Sequence, residues 1–172
     1  MNDMELRPVG LVLNELKNPS LVARAGDLHW DADGRPQSNM AEQMSEIVIK
    51  PEYVELLNGL EDFSHALILY WAHRVEDGGR ALTKVHPLGR KDLPRVGVFA
   101  TCSPARPNPI LVIAVKILAR KGGSLLVTGL DAIDGSPVLD IKPYLPTYYS
   151  VPDADLSAWM KQILDRLQEQ VE

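Results

Sequence analysis

The sequence predicts a mainly β fold: a small antiparallel β-barrel with a few short helices and an amphipathic helix at its C-terminus. Three observations carry this. At least six short runs are apolar or alternating and rich in β-branched residues. Thirteen Pro and twelve Gly in 172 residues put turns between those runs and argue against a helical bundle. Only the last twenty residues repeat their apolar side chains at helical spacing. The length suits one domain, read as a barrel over 1–150 followed by a C-terminal helix in 151–172.

Each element follows in order. Residues 6–13, Leu-Arg-Pro-Val-Gly-Leu-Val-Leu, read as a first strand. Residues 14–43 are polar and turn-rich, with Pro19, Gly26, Asp33-Gly34 and Pro36, and read as a long loop or irregular excursion. Met44 to Ile49 alternates into a strand. Pro51 opens a short helix through Leu57, closed by Asn58-Gly59. Phe63 to Trp71 is an apolar strand, and a basic, glycine-containing loop covers 74–95. Strands follow at 96–101, 110–118 and 124–130, the last two joined by Lys121-Gly122-Gly123. Asp134-Gly135 reads as a tight hairpin turn, followed by a strand from Val138 to Ile141. Leu156, Trp159, Met160, Ile163, Leu164, Leu167 and Val171 then define one helical face over 155–171, with Asp153 or Asp155 able to cap its start. That face serves either core packing or a contact between two copies.

Composition narrows the class of function. Hydrophobic residues at 45% and charged residues at 24% are the balance of an ordinary globular protein and exclude a fibre or a disulfide mini-protein. Cys102 is the single cysteine, which excludes an internal disulfide and a multi-thiolate zinc site and fits a reducing cytoplasm. The N-terminus has no signal-peptide pattern, and no apolar run reaches the ~18–20 residues of a membrane span. The expectation is a cytoplasmic protein. The net charge is −5, yet the stretch from Arg74 to Arg106 holds seven Lys or Arg against three acids, leaving −9 for the rest. Such a region can steer a polyanion to one face, although a solvated loop explains it equally.

Three stretches carry polar groups on stiff or close-set backbone. In Thr101-Cys102-Ser103-Pro104-Ala105-Arg106-Pro107-Asn108-Pro109, three prolines fix φ and present Thr101, Ser103, Arg106 and Asn108 on a rigid frame, which suits ligand binding. Around the 134–135 turn, Asp131 and Asp140 flank the bend and can meet across a ladder; Asp140 can equally pair with Lys142 on the same strand face. His65 reads as a core histidine, whereas His73-Arg74 at a strand end is better placed for a ligand. No dinucleotide-binding glycine motif, P-loop, zinc-protease or serine-hydrolase motif is present, and the four His at 29, 65, 73 and 86 lack metal-ligand spacing.

Together these stretches resemble one family. The order Phe-Ala-Thr-x-Ser-Pro-x-Arg-Pro-Asn-Pro-Ile over 99–110, then Leu-Asp-x-x-Asp-Gly-Ser-Pro-Val-x-Asp-Ile-Lys-Pro-Tyr over 130–144, is similar to the TsaA-like (TrmO, formerly YaeB) family. Leu60 to His65 and the Tyr-Trp-x-His-Arg strand end also look like it. The resemblance implies a small β-barrel, a homodimer, and an S-adenosylmethionine-dependent methyltransferase acting on N6 of threonylcarbamoyladenosine 37 in tRNA. It implies cofactor contacts at Arg35, Pro36 and Gln37, at His73 and Arg74, at Cys102 and Val112, and at Asp131, Ala132, Ile133 and Asp134. Arg95, Arg106, Asn108, Lys142 and Tyr144 are the expected substrate contacts, and His73, Asp131 or Asp134 the expected proton acceptor. The family usually has Arg where this chain has Cys102, and Gly then a hydrophobic residue where it has Leu111-Val112. Those exchanges leave two alternatives: a methyltransferase with a small-molecule or protein acceptor, or a non-catalytic module that binds S-adenosylmethionine or RNA.

Overall fold

The structure is a computed structural model, and it describes residues 5–31 and 40–168. Ten strands occur among these: β1 (Gly10–Leu13), β2 (Leu21–Arg24), β3 (Asp27–Trp30), β4 (Met44–Ile49), β5 (His65–Trp71), β6 (Lys84–Val85), β7 (Val96–Gly97), β8 (Ile110–Lys121), β9 (Ser124–Thr128) and β10 (Pro137–Pro143). Six of them close into an antiparallel barrel in the order β1-β10-β5-β8-β9-β4. Closure removes exposed sheet edges. Alternation sets which residues point inward: Val12, Ile47, Ile49, Ala66, Ile68, Tyr70, Val115, Leu125, Val127 and Val138 form one buried core. Each large aliphatic group there contributes about 1.5–3 kcal/mol by burial. Leu11, Leu13, Met44 and Val48 alternate onto the outside.

The short turns gather at one end of the barrel. There, Pro51–Leu57 forms a 3₁₀ segment with Pro51 at its first position, stopped at Gly59 in the left-handed region (φ 85°). Gly122-Gly123 joins β8 to β9 at the same end. All three long excursions, 14–43, 72–109 and 129–136, leave from the other end. Three α-helices, α1 (Asp77–Arg80), α2 (Pro146–Tyr149) and α3 (Ala158–Gln168), and several 3₁₀ turns make up the remaining regular structure of the described residues.

Several sequence expectations need correction. The 14–43 excursion holds a regular hairpin, β2–β3, with Leu21 opposite Trp30 and Arg24 opposite Asp27. The strand expected over 96–101 lasts two residues; Val98–Ala100 is a 3₁₀ turn. Thr101 Oγ1 donates to Val98 O, and Thr101 Oγ1 and Ser103 Oγ accept from the N–H groups of Ser103 and Ala105. These local bonds compete with a sheet ladder. Asp134-Gly135 is a turn, with Gly135 at φ 75°, but not that of a hairpin. The chain before it, 129–133, crosses the barrel end, while β10 pairs with β1 and β5. Asp131 and Asp140 therefore do not meet across a ladder, and Asp140 pairs instead with Lys142 at 2.6 Å. His65 sits half-buried on the outward side of β5, its Nδ1 2.9 Å from Ser64 Oγ. Neither expected aspartate caps α3: Asp155 Oδ1 takes the Leu156 N–H and pairs with Lys161, while Ser157 O receives the first N–H groups of the helix. Residues 169–172, in the last part of the expected helix, lie outside the described residues.

Candidate functional site

The three excursions and α3 enclose a cavity of about 770 Å³ at the barrel end, within the ~300–1,000 Å³ range of small-molecule sites. Its floor is the inward face of the barrel rim, with Tyr70, Leu111 and Ile113. One side is the crossover segment with Asp131, Ala132, Ile133 and Ser136. Another is the proline-rich loop from Thr101 to Ala105. The hairpin β2–β3, the stretch after β5 with Arg74 and Glu76, Pro87-Leu88 and the apolar face of α3 supply most of the rest. A smaller hollow of about 290 Å³ at the opposite end lacks this convergence of polar and charged groups.

Each wall is held by identifiable bonds. Asn14, just past β1, pins the crossover: its N–H donates to Asp134 Oδ1 (3.0 Å) and its Nδ2 to Ser45 Oγ (2.9 Å) and Ala132 O (2.8 Å). The backbone N–H of Asp134 donates to Leu16 O and that of Gly135 to Val12 O. The proline-rich loop is cross-braced by Arg106, whose Nε and Nη2 donate to Ser103 O (2.8 Å) and Thr101 O (2.5 Å). The hairpin wall is anchored by Asp27, buried at 7% exposure. Its Oδ1 accepts the N–H groups of Leu28 and His86, both at 2.8 Å, and its Oδ2 meets His86 Nδ1 at 2.5 Å and Lys91 Nζ. Burial raises the Asp27 pKa, but Lys91, His86 and the two backbone donors outweigh it and hold the carboxyl well below the usual carboxylate range.

Within the cavity the most structured polar group is a carboxylate. Tyr70 is buried at 3% exposure, and its Oη donates to Asp131 Oδ1 at 2.8 Å. Burial, and then the Asp131 charge, push the Tyr70 phenol far above its ordinary value, so it stays a donor. Asp131 itself is exposed at the cavity wall among apolar neighbours. A fixed anion beside apolar side chains suits a cation or an N–H donor. Arg74 lines the same cavity, with Nη1 donating to Asn18 Oδ1 at 3.0 Å.

Among the residues expected at the site from sequence, Arg74, Cys102, Asp131, Ala132 and Ile133 come together on this cavity. His73 sits behind it, its Nδ1 3.4 Å from Ser136 Oγ. Burial, then the Arg74 charge, lower the imidazole pKa, and Asp134 only partly offsets them. Asp134 spends Oδ1 on the Asn14 N–H and Oδ2 on Lys17 at 2.8 Å, and it is absent from the lining; those two contacts lower its pKa. Val112 is 62% exposed on the outer face of β8, and Leu111 takes the inward place, because alternate residues face opposite ways. Arg106 is committed to its own loop, and Arg95 Nη2 donates to Gly26 O and Lys84 O, bracing the hairpin. Asn108 is exposed, with its carbonyl accepting from Ile110. Lys142 and Tyr144 stand at the opposite end of the barrel, opposite Leu67 and His65 of β5, where Tyr144 stacks on Tyr149 at 5.9 Å. Arg35, Pro36 and Gln37 lie outside the described residues. Sequence reasoning missed Tyr70, Asn14, Ser136 and the α3 side chains. Tyr70 was within reach, since alternation along β5 from Ala66 and Ile68 puts it inside.

No group of three His, Cys, Asp or Glu able to hold a metal occurs among the described residues, and no helix there is long and apolar enough to cross a membrane.

Comparison with known proteins gives consistent matches. Residues 29–150 match the model of the tRNA-methyltransferase O N-terminal domain. A relative from Methanothermobacter thermautotrophicus, named a probable S-adenosyl-L-methionine-binding protein, is 44% identical over 146 residues, 84% of this chain and 93% of its own. The tRNA (adenine(37)-N6)-methyltransferase of Escherichia coli is 35% identical over 161 residues, 91% of this chain and 64% of its own. Among solved structures, TrmO from Pseudomonas aeruginosa superposes with a TM-score of 0.64 at 28% identity, over 90% of this chain and 61% of that one. The chain thus spans about three fifths of the length of these last two proteins.

Proposed function

The chain belongs to the family of the tRNA-methyltransferase O N-terminal domain, and on that premise we propose that it transfers a methyl group from S-adenosylmethionine to N6 of threonylcarbamoyladenosine 37 in tRNA. The observation that carries the reading is the meeting of the proline-rich loop and the Asp131 segment on one cavity. The residues present fit the cofactor. Asp131, locked by Tyr70, offers a negative charge to a cationic group; Arg74 offers a partner for a carboxylate; Leu111, Ile113 and Ile133 offer an apolar surface to a purine.

When bound, S-adenosylmethionine supplies a methyl group already activated on a sulfonium. The protein therefore has mainly to position the acceptor and keep water away. The apolar rim of the barrel and α3 do the second. An N6 that carries a carbonyl is a weak nucleophile until its proton is drawn off; Glu76 and Asp131 are the carboxylates that line the cavity, and Asp131, the one oriented by Tyr70, is the proposed acceptor of that proton. The Tyr70 bond fixes one of its oxygens and leaves the other for the acceptor N–H. His73, with its lowered pKa, is uncharged at neutral pH and supports Ser136 rather than adding a cation. The basic stretch from Arg74 to Arg95 adds positive charge on the cavity side of the barrel that favours the approach of a polyanion, although Lys91 and Arg95 are themselves spent on bracing the hairpin.

The protein acts as a homodimer in the cytoplasm, where tRNA is found; the exposed apolar side chains Leu11, Leu13, Met44 and Val48 on β1 and β4 support a contact between copies. Light scattering of the purified protein tests that point. A second reading, transfer to a different acceptor, is favoured by Leu111 and Cys102. Both line the cavity where the resemblance leads one to expect Gly and Arg. The deciding experiment supplies labelled methyl donor and tRNA from cells lacking this gene. Labelled N6-methyl-threonylcarbamoyladenosine is the expected product. Its absence beside a working control enzyme defeats the tRNA reading, and its appearance only in a Leu111→Gly, Cys102→Arg variant favours the second.

A further inference from the structure

Two tryptophans line the cavity from separate pieces of chain: Trp30 at the end of β3 and Trp159 near the start of α3. Neither belongs to the barrel core. Trp30 keeps 46% of its surface exposed and Trp159 is half-buried. Rigid aromatic groups with open surface on a cavity wall are the groups on which nucleobases stack, because every base offers a π-face. Arg24, paired with Asp31 at 3.1 Å, lines the same cavity and brings a guanidinium to that wall.

The attachment of α3 points the same way. Among the described residues, every hydrogen bond and ion pair made by 151–165 stays within that segment, including the Asp155–Lys161 pair at 2.7 Å. The segment reaches the body through the apolar side chains Trp159, Met160, Ile163 and Leu164, all of which line the cavity. The helix is thus docked on the site and not on the barrel core. The match to the family model, over residues 29–150, does not include α3.

We propose that Trp30 and Trp159 form an aromatic platform that receives the unstacked acceptor base of the RNA, with α3 supplying one of its two sides. The proposal rests on the tRNA reading above. The purine of the methyl donor is the other possible source of a base face, and the test separates the two.

Tryptophan fluorescence is followed while the whole protein is titrated with S-adenosylhomocysteine, and separately with a short RNA hairpin carrying one unpaired adenine or an abasic site at that position. Wild-type protein is expected to bind the adenine hairpin about tenfold or more tighter than the abasic one. Trp159→Leu, which keeps apolar bulk without a ring, is expected to erase that difference, and Trp159→Phe to restore most of it, with S-adenosylhomocysteine affinity unchanged. Trp30→Leu is expected to act likewise, which keeps the proposal open to test if the Trp159 variants fail to fold. If Leu at either position preserves the adenine preference, packing is the role of the indole and the proposal falls. If the variants weaken S-adenosylhomocysteine instead, the platform holds the donor and the proposal falls. A wild-type protein that binds neither ligand defeats the methyltransferase reading itself, whereas binding of both with indifferent variants defeats only the platform.

Discussion

Replacing Asp27 with Asn tests how the hairpin wall is held. The Asn carbonyl can still accept both 2.8 Å bonds that reach Oδ1, from the N–H groups of Leu28 and His86. The other oxygen becomes an NH₂ that faces His86 and the Lys91 ammonium. Breaking a fully buried pair costs about 3–5 kcal/mol. Here the Lys91 side chain is 56% exposed and can turn to water, so about 2–3 kcal/mol is expected. At about 2–4 °C per kcal/mol for a chain of this size, the melting point falls by about 5–10 °C. The sign of the pH dependence follows from the lowered carboxyl. A group depressed on folding adds stability above its unfolded value, here 3.8, and loses it as pH falls toward the folded one. Denaturant titrations of both proteins are therefore expected to show the same gap at pH 7 and pH 5, narrowed by about 1 kcal/mol at pH 3. A gap under about 0.5 kcal/mol at pH 7, or one that stays constant down to pH 3, refutes the account of the anchor.

Three further outcomes are expected. Gly89→Ala destabilises by about 2 kcal/mol in a thermal melt, since Gly89 sits at φ 68° and an added Cβ lies 2.8 Å from Leu28 O; a neutral change contradicts the close approach. Arg106→Ala costs about 2 kcal/mol in denaturant titration, and Arg106→Lys does not recover it, because one ammonium replaces a fork that serves two carbonyls; full recovery by Lys assigns Arg106 a mere charge. Lys142→Ala leaves the methyl-transfer rate within about twofold, as expected of a residue at the opposite end of the barrel, and a tenfold loss contradicts that placement.

Much of the barrel was legible because its strands alternate: Met44 to Ile49 and Ala66 to Tyr70 announce their inner faces by sequence alone. The two motifs were legible as chemistry, and the cavity does join them. What the sequence concealed has physical causes. The hairpin β2–β3 turns through Ala25, a non-glycine residue at φ 49°, and is tied down by Asp27 reaching His86 and Lys91 about sixty residues away. No local pattern encodes that bond. Lys142 and Tyr144 share a motif with Asp131, but an extended strand advances about 3.3 Å per residue and carries Lys142 roughly 20 Å from Ser136. Nearness in sequence within a strand is distance in space. Arg106 looked like a ligand-binding cation, but the loop holds carbonyls that no ladder satisfies, and two of them claim it.

The central claim is that the hollow between the proline-rich loop, the Asp131 segment and the barrel rim takes up the methyl donor. Calorimetric titration of the folded protein with S-adenosylmethionine tests it most directly when run beside Asp131→Asn, a variant that keeps shape and removes charge. The account predicts saturable heat from wild-type protein and at least tenfold weaker binding by Asp131→Asn with an unchanged melting temperature. No heat from wild-type protein at millimolar ligand, or equal affinity in the two proteins, contradicts it.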